Sequence, residues 1–405
     1  MAERPVWISL CLVCILRGGD LNFQFSDEQM LLRGSVAGYL QRHYSFEERR
    51  KSLANGGFRP EIWRGFAEEL GILGAVFPEK LGGAGGGAVE TMLIMEEFGR
   101  FLVLEPYLES VVLAGCLLRQ AGGERSRAMI EATIVGNARV APSLGETGSR
   151  YRLATVATSA KSEKKGWRIK GSKTVVAGGA LATHFLFSAR TGGAVQDRDG
   201  ISLFLAERAE GGMQIRDYAL IDGRWASDVT FDDVLLGPDA LIGVPGGALS
   251  LIERAVDEAT SALCAEAVGV MQAMLDVTVD YAKQREQFGK PIGSFQVIQH
   301  RLADMLITIE KAKSITLMAT LSLDAGGTDR PKAVSAAKAF IANAAKTVAQ
   351  AAVQIHGGIG IAEETPISHY FKRATVIEGQ FGSAIHHLCA YADATEYVGP
   401  RLRRH

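Results

Sequence analysis

A carboxylate followed by glycine, Glu378-Gly379, comes directly after the apolar pair Val376-Ile377. That setting favours burial, which suits a general base working in a water-poor site; the competing reading is a surface or helix-capping glutamate. Arg285 offers a planar fork of N–H donors shaped for phosphate or carboxylate oxygens, against the commoner case of a solvated surface arginine. His386 and His387 invite a metal or proton-relay reading. Adjacent residues on a helix point in different directions, however, and no Cys or carboxylate cluster accompanies them, so a structural or surface-lining role is expected. Cys11 and Cys14 form a C-x-x-C with no second Cys or His pair and read as coincidence. Lys161, Lys164 and Lys165 read as a solvated loop. Gly83-Ala-Gly-Gly-Gly-Ala88 fits G-x-G-x-x-A, but no tight strand precedes it and no βα alternation follows, so it reads as a surface turn. The phosphate loop, H-E-x-x-H and G-x-S-x-G are absent, which removes phosphotransferase, zinc-protease and serine-hydrolase readings.

The elements that must position these groups fall into three blocks. Residues 23–137 show helical periodicity, for example Glu61–Gly71 and Thr91–Gly99, with Gly71 and Gly99 as natural stops. Residues 138–243 change to short runs of strand length, such as Trp167–Gly171, Thr183–Ser188, Gly200–Leu205 and Asp228–Leu236. Residues 244–405 return to helix, interrupted at Ala325-Gly-Gly-Thr328 and His356–Gly360. Segregated helices and strands define an α+β multidomain chain and argue against a doubly wound sheet.

The chain has 405 residues, enough for two or three domains and a buried site. With 44 basic and 45 acidic residues, a net charge of −1 and a pI near 6.7, it offers no global field for nucleic acid or an anionic membrane. Five scattered cysteines do not make a disulfide framework, and a cytoplasmic location is expected. The N-terminal apolar run Val6–Leu16 is too short to span a bilayer, so residues 1–22 are expected to be a poorly ordered leader.

The stretch Tyr281-Ala-Lys-Gln-Arg-Glu-Gln-Phe-Gly-Lys-Pro-Ile-Gly-Ser-Phe-Gln296 and its continuation to Asp304 resembles the signature of acyl-CoA dehydrogenases. Gln354-Ile-His-Gly-Gly-Ile-Gly360 is similar to that family's Q-x-x-G-G-x-G turn. Pro78–Gly83, Glu96–Arg100 and Phe231–Val234 resemble further landmarks, in the same order, from about Phe23 onward. The resemblance implies a helical N-terminal domain, a central β-barrel or sandwich and a C-terminal four-helix bundle, with FAD bound where the β domain and bundle meet a neighbouring subunit. It implies that Arg285 reaches the partner's FAD pyrophosphate, with Phe288 near the adenosine half and Gln296 hydrogen-bonding it. Gln354, Gly357 and Gly358 would add amide and backbone contacts, Ser143 would approach the flavin edge, and Asp257 would contact pantetheine. Glu378 would be the catalytic base, with Gly379 beside the substrate.

What is implied is the α,β-desaturation of an acyl-CoA to a trans-2-enoyl-CoA, as in fatty-acid β-oxidation, with an electron-transfer flavoprotein as acceptor. The partners would be a second copy of the chain or, in a heterotetramer, a homologous subunit. Several positions depart from the pattern. Val175 stands where a flavin-packing Trp is usual, Ala177 replaces a hydroxyl, Thr260 replaces an Arg, and Gln380 replaces a Thr. The segment Phe381–Leu388 and the missing Trp are similar to small subunits of heteromeric enzymes such as pimeloyl-CoA dehydrogenase. A non-catalytic or partner-dependent subunit is therefore the alternative expectation, with an acyl-CoA oxidase third.

Overall fold

The computed structural model describes residues 24–54, 56–324 and 329–395. The expected leader, the Cys11/Cys14 pair and the interruption at residues 325–328 lie outside the described residues. Among the described residues six α-helices come first: α1 (Asp27–His43), α2 (Phe46–Ala54), α3 (Pro60–Glu68), α4 (Ala88–Phe101), α5 (Ala114–Ala121) and α6 (Glu124–Ile134). Helix α1 starts on a reciprocal cap: the Gln29 N–H donates to Ser26 Oγ and the Ser26 N–H to Gln29 Oε1. Gly71, with φ 64°, lies just beyond α3 as a stop residue should. Gly99 is no stop. Helix α4 runs through it to Phe101, and the glycine serves a close approach instead: a Cβ there would collide with the Glu266 carbonyl of a crossing helix, and one at Gly269 on that helix with the Glu96 carbonyl. The two glycines let the helix backbones touch.

The middle segment carries eight strands in one mixed sheet: β1 (Val140–Ser143), β2 (Ser159–Glu163), β3 (Gly166–Ala177), β4 (His184–Arg190), β5 (Ile201–Glu207), β6 (Met213–Ala219), β7 (Trp225–Leu236) and β8 (Leu241–Ile242). Their order is β6-β7-β3-β2-β4-β5-β8, with β1 parallel to β4. The expected barrel does not close, because the end strands β6 and β8 are not paired with each other. The sheet curls instead. Phe187 on β4 packs against Phe231 on β7 at 4.4 Å between centroids, although two strands separate them in the order. Burying this aromatic face is what bends the sheet.

Five helices follow: α7 (Leu249–Gln284), α8 (Gln296–Asp324), α9 (Arg330–His356), α10 (Pro366–Gly379) and α11 (Ala384–Ala394). Helix α7 is long and apolar enough to cross a membrane by length and composition, yet 78% of its apolar window is buried inside the protein. Its apolar surface serves the core, against α4, α8, α9 and α10.

Where the three blocks meet, a charged cluster is buried. Arg373 on α10 donates from Nε and Nη2 to the two oxygens of Glu266 on α7, both at 2.7 Å, and from Nη1 to Asp222 of the β6–β7 turn at 2.9 Å. Arg224 joins Glu266 at 2.6 Å and the Val103 carbonyl of the N-terminal block at 3.1 Å. Burial alone would push the Glu266 carboxyl up, but Arg224 and Arg373 hold it below the usual range. Removing one partner leaves an unpaired buried charge, so Arg373→Met is expected to cost about 3–5 kcal/mol in urea unfolding. Arg373→Met with Glu266→Met should recover part of that loss; a double variant no more stable than Arg373→Met would contradict the pairing argument.

Candidate active site

A cavity of about 1260 Å³ lies between the three blocks. The N-terminal block supplies Leu104, Pro106, Glu109 and Leu113, the sheet supplies Pro142, Leu144, Val175 and Trp225, and the C-terminal helices supply Asp257, Thr260, Arg330, Arg373 and the turn Gly379-Gln380-Phe381. Asp257 accepts from Arg330 Nε at 3.0 Å, and burial pushes its carboxyl up to about 6 in spite of that partner. Thr260, the departure from the family's arginine, turns its hydroxyl onto the Val256 carbonyl.

Helix α10 brings Glu378 to this region but not onto the wall. Arg373, Val376, Gly379 and Gln380 recur at three- and four-residue spacing and share the cavity face. Glu378 sits half-buried, roughly half a turn round the axis. The end of the helix is held by Lys338 of α9, which is fully buried. Its Nζ donates to the carbonyls of Ile377 at 2.9 Å, Glu378 at 3.1 Å and Gly382 at 2.8 Å, satisfying carbonyls that a helix end leaves free. Burial pulls this ammonium down to about 8. His386 and His387, expected as structural or surface groups, both line the cavity, because Ser383 caps α11 immediately after the turn. His387 is pulled down to about 4 by burial and by Lys338, so it is neutral near pH 7. Among the described residues no group of three His, Cys, Asp or Glu could hold a metal ion.

On the sheet side, Pro142 of β1 and Leu144 just beyond its end line the cavity, and Ser143 between them does not. Ser143 is fully buried and donates to the Ala141 carbonyl at 3.2 Å. The loop after β1 is tied down by Glu146, which accepts from Lys173 Nζ at 2.6 Å and from the N–H groups of Ala157 and Thr158. Val175 reaches the wall through a bulge: Lys173 pairs with Val229 and Val176 with Ser227, so Thr174 and Val175 together oppose Asp228. Val175 adopts φ 52°, a strained value for a β-branched residue, and is 61% exposed. Trp225, at the start of β7, supplies the sheet's aromatic contribution to the wall.

The remaining expected residues stand on the outside. Arg285 and Phe288 flank or cap the hairpin Glu286–Gln287/Lys290–Pro291, and Gln296 begins α8; all three are exposed, Phe288 at 92%. Arg285 has no ion pair among the described residues. Gln354, Gly357 and Gly358 are exposed at the end of α9. Gly357 needs its φ of 64°, but Gly358 has no such requirement and a Cβ there would meet nothing within 4 Å. Among the described residues nothing crowds the bare backbone at Gly358, which leaves it open to close approach by a ligand. An unpaired exposed guanidinium, an open glycine backbone and a roomy mixed cavity fit the flavin dinucleotide that the resemblance implies. Arg285, Phe288 and Gln296 would hold the dinucleotide end of a neighbour's FAD, and the cavity would take the flavin end of this chain's own.

Residues 26–130, 141–234 and 247–386 match the models of the acyl-CoA dehydrogenase N-terminal, middle and C-terminal domains. The fold and cavity thus define a flavin-dependent oxidoreductase. The chain belongs to the acyl-CoA dehydrogenase family and is an FAD-dependent acyl-CoA dehydrogenase. It is 29% identical to the mitochondrial short-chain specific acyl-CoA dehydrogenase of Homo sapiens, over 76% of each chain. Among solved structures it is similar to a variant of the Tcur3481-Tcur3483 steroid ACAD, at TM-score 0.82 and 29% identity, covering 91% of this chain and 98% of the other. It is also similar to the ChsE4-ChsE5 complex from Mycobacterium tuberculosis, at TM-score 0.84 and 27% identity, covering 94% and 100%.

Sequence reasoning missed Lys338, Arg373, Trp225 and the Glu146–Lys173 pair as parts of the site. Lys338 carried a local signal, as a lone cation in the apolar run Ala336-Ala337-Lys338-Ala339-Phe340-Ile341, and Lys173 one by its match to a family motif. Two outcomes are expected. Val175→Gly should stabilise the FAD-free protein by about 1 kcal/mol in thermal unfolding, since glycine tolerates the left-handed backbone. Acyl-CoA affinity, read from perturbation of the flavin spectrum, should weaken on acidification with a midpoint near pH 6, as the Asp257 carboxylate takes up a proton and its ion pair with Arg330 is lost; Asp257→Asn should abolish that midpoint.

Proposed function

We propose that this chain converts an acyl-CoA thioester to its trans-2-enoyl-CoA, with Glu378 removing the α-proton. Bound FAD supplies the acceptor for the β-hydrogen, taken as hydride, and an electron-transfer flavoprotein then takes the electrons. The observation that carries the reading is the convergence on one cavity of the Gly379–Phe381 turn, the sheet bulge at Val175 and the Asp257–Arg330 pair. Gly379 leaves room for the thioester beside the turn, Asp257 with Arg330 orients the pantetheine arm, and the apolar residues of the N-terminal block exclude water from the acyl group. For Glu378 to act, the last turn of α10 must present its side chain to the cavity when substrate is bound. The volume exceeds the ~300–1,000 Å³ of ordinary ligand pockets and leaves room for a bulky acyl group beside the flavin. The likeness to a steroid ACAD supports a ring-bearing acyl chain.

A second reading, a partner-dependent subunit of a heteromeric enzyme, is favoured by the orientation of Glu378 away from the cavity face and by the likeness to the ChsE4-ChsE5 complex. Acyl-CoA titration of the FAD-loaded chain, alone and with a homologous partner, separates the two. Under the first reading the isolated chain bleaches its flavin, and Glu378→Gln lowers the bleaching rate by about 10²–10⁴-fold. Wild-type turnover by a Glu378→Gln protein that retains FAD would remove the base assignment, and bleaching only in the complex would establish the second reading.

A further inference from the structure

The bulge at Thr174-Val175 has to be held against its own strain. A β-branched residue in the left-handed region persists only when its surroundings over-determine it. Here each of the two bulged amides has a fixed acceptor. The Thr174 N–H donates to the Gly145 carbonyl at 3.0 Å, in the loop that Glu146 ties to Lys173. The Val175 N–H donates to Asp228 Oδ1 at 3.1 Å. Asp228 is the single residue of β7 that faces the two-residue bulge, and its carboxylate is itself held on both oxygens. Tyr218 Oη donates to Oδ1 at 2.9 Å, and Arg216 Nη2 to Oδ2 at 2.6 Å. Arg216 and Tyr218 both belong to the edge strand β6, where Arg216 is the register partner of Asp228. The carboxyl sits below its usual range: burial opposes this, and the Val175 N–H with Arg216 and Tyr218 prevails.

We propose that Asp228 is a positioning residue: fixed by Arg216 and Tyr218, it pins the strained bulge that sets Val175 and the adjacent backbone against the flavin end of FAD. The proposal rests on the flavoprotein reading of the cavity. It gives the edge strand β6 a purpose beyond the sheet, since its side chains determine the wall on the far side of β7. It also explains how a wall that carries only a valine at this point keeps a defined shape. With a short aliphatic side chain at 175, the position of the backbone governs what the flavin meets.

The test uses the FAD-loaded protein, with its partner subunit if the isolated chain does not retain flavin. In Asp228→Ala the Val175 N–H loses its acceptor. The expected result is FAD binding weakened at least tenfold, with loss of fine structure in the flavin absorption band. Arg216→Ala leaves the Val175 and Tyr218 bonds to Asp228 Oδ1 in place but frees Oδ2, and should weaken FAD binding about threefold, by less than Asp228→Ala; an unchanged affinity would overturn the part given to Arg216. Combining Asp228→Ala with Val175→Gly provides the sharper reading, because glycine removes the strain that the carboxylate opposes. The double variant should bind FAD at least threefold more tightly than Asp228→Ala alone. FAD affinity and flavin spectrum in Asp228→Ala within twofold of the unaltered protein would overturn the proposal, as would purely additive effects in the double variant. If the unaltered chain binds no FAD in either preparation, the flavoprotein reading fails and the proposal falls with it; a natural chain that binds FAD and an Asp228→Ala chain that binds it equally well would remove the proposal alone.

Discussion

The buried pairing of Arg373 with Glu266 is the constraint on which the rest of the arrangement depends. A guanidinium that is 2% exposed must have every donor accounted for, and the residues that satisfy it come from different parts of the chain. Glu266 lies on the central helix α7, Asp222 in a turn of the sheet, and Arg224 carries the cluster to the Val103 carbonyl of the N-terminal block. Arg49, also buried, adds bonds to the carbonyls of Leu102 and Asp222 and to His369. Apolar contacts are tolerant of direction, but a bidentate ion pair is not. The angle at which the helical blocks and the sheet meet is fixed at this cluster, and the cavity is the space left beside it.

The same cluster reaches the chemistry directly. Arg373 lines the cavity and touches Gln380 at 3.3 Å, in the turn that ends α10. From the other side Lys338 holds three carbonyls of that turn. One cation therefore orients the helix toward the cavity while another shapes its end. Phe381, with φ 60°, and Gly382 bend the chain between them into α11, which is why His386 and His387 arrive on the wall. On the facing side the sheet uses a different device, a strained bulge fixed by side chains, and the wall opposite the turn is set by backbone position.

Much of this was legible in the sequence. The change from helical to strand periodicity near residue 138 and back near 244 reflects local physics, since a helix and a half-buried strand bury their apolar residues at different periods. Trp167–Gly171 and Asp228–Leu236 fall within strands of the sheet, and Thr183–Ser188 and Gly200–Leu205 begin one residue before theirs. The edge strand Met213–Ala219 was not read, because its mostly exposed, mixed-polarity residues have no clean alternation. Gly99 was misread as a stop: a glycine needed for close approach to another helix looks identical in sequence to one that ends a helix. The open sheet in place of a barrel was equally hidden, for closure depends on whether end strands meet.

By itself the sequence determined the three blocks, the family and the positions at which the flavin and the acyl-CoA are to be sought, because these are carried by periodicity and by contiguous motifs. It also placed Arg285, Phe288 and Gln296 in one short stretch. Only the tertiary structure decided which side chains face the cavity. Val376 and Gln380 face it while Glu378 does not, Pro142 and Leu144 face it while Ser143 does not, and Lys338, Arg373 and Asp228 act on it from distant segments. The reason is that orientation round a helix or across a strand is fixed by what the opposite face must bury and pair with, and those partners lie far away in the chain.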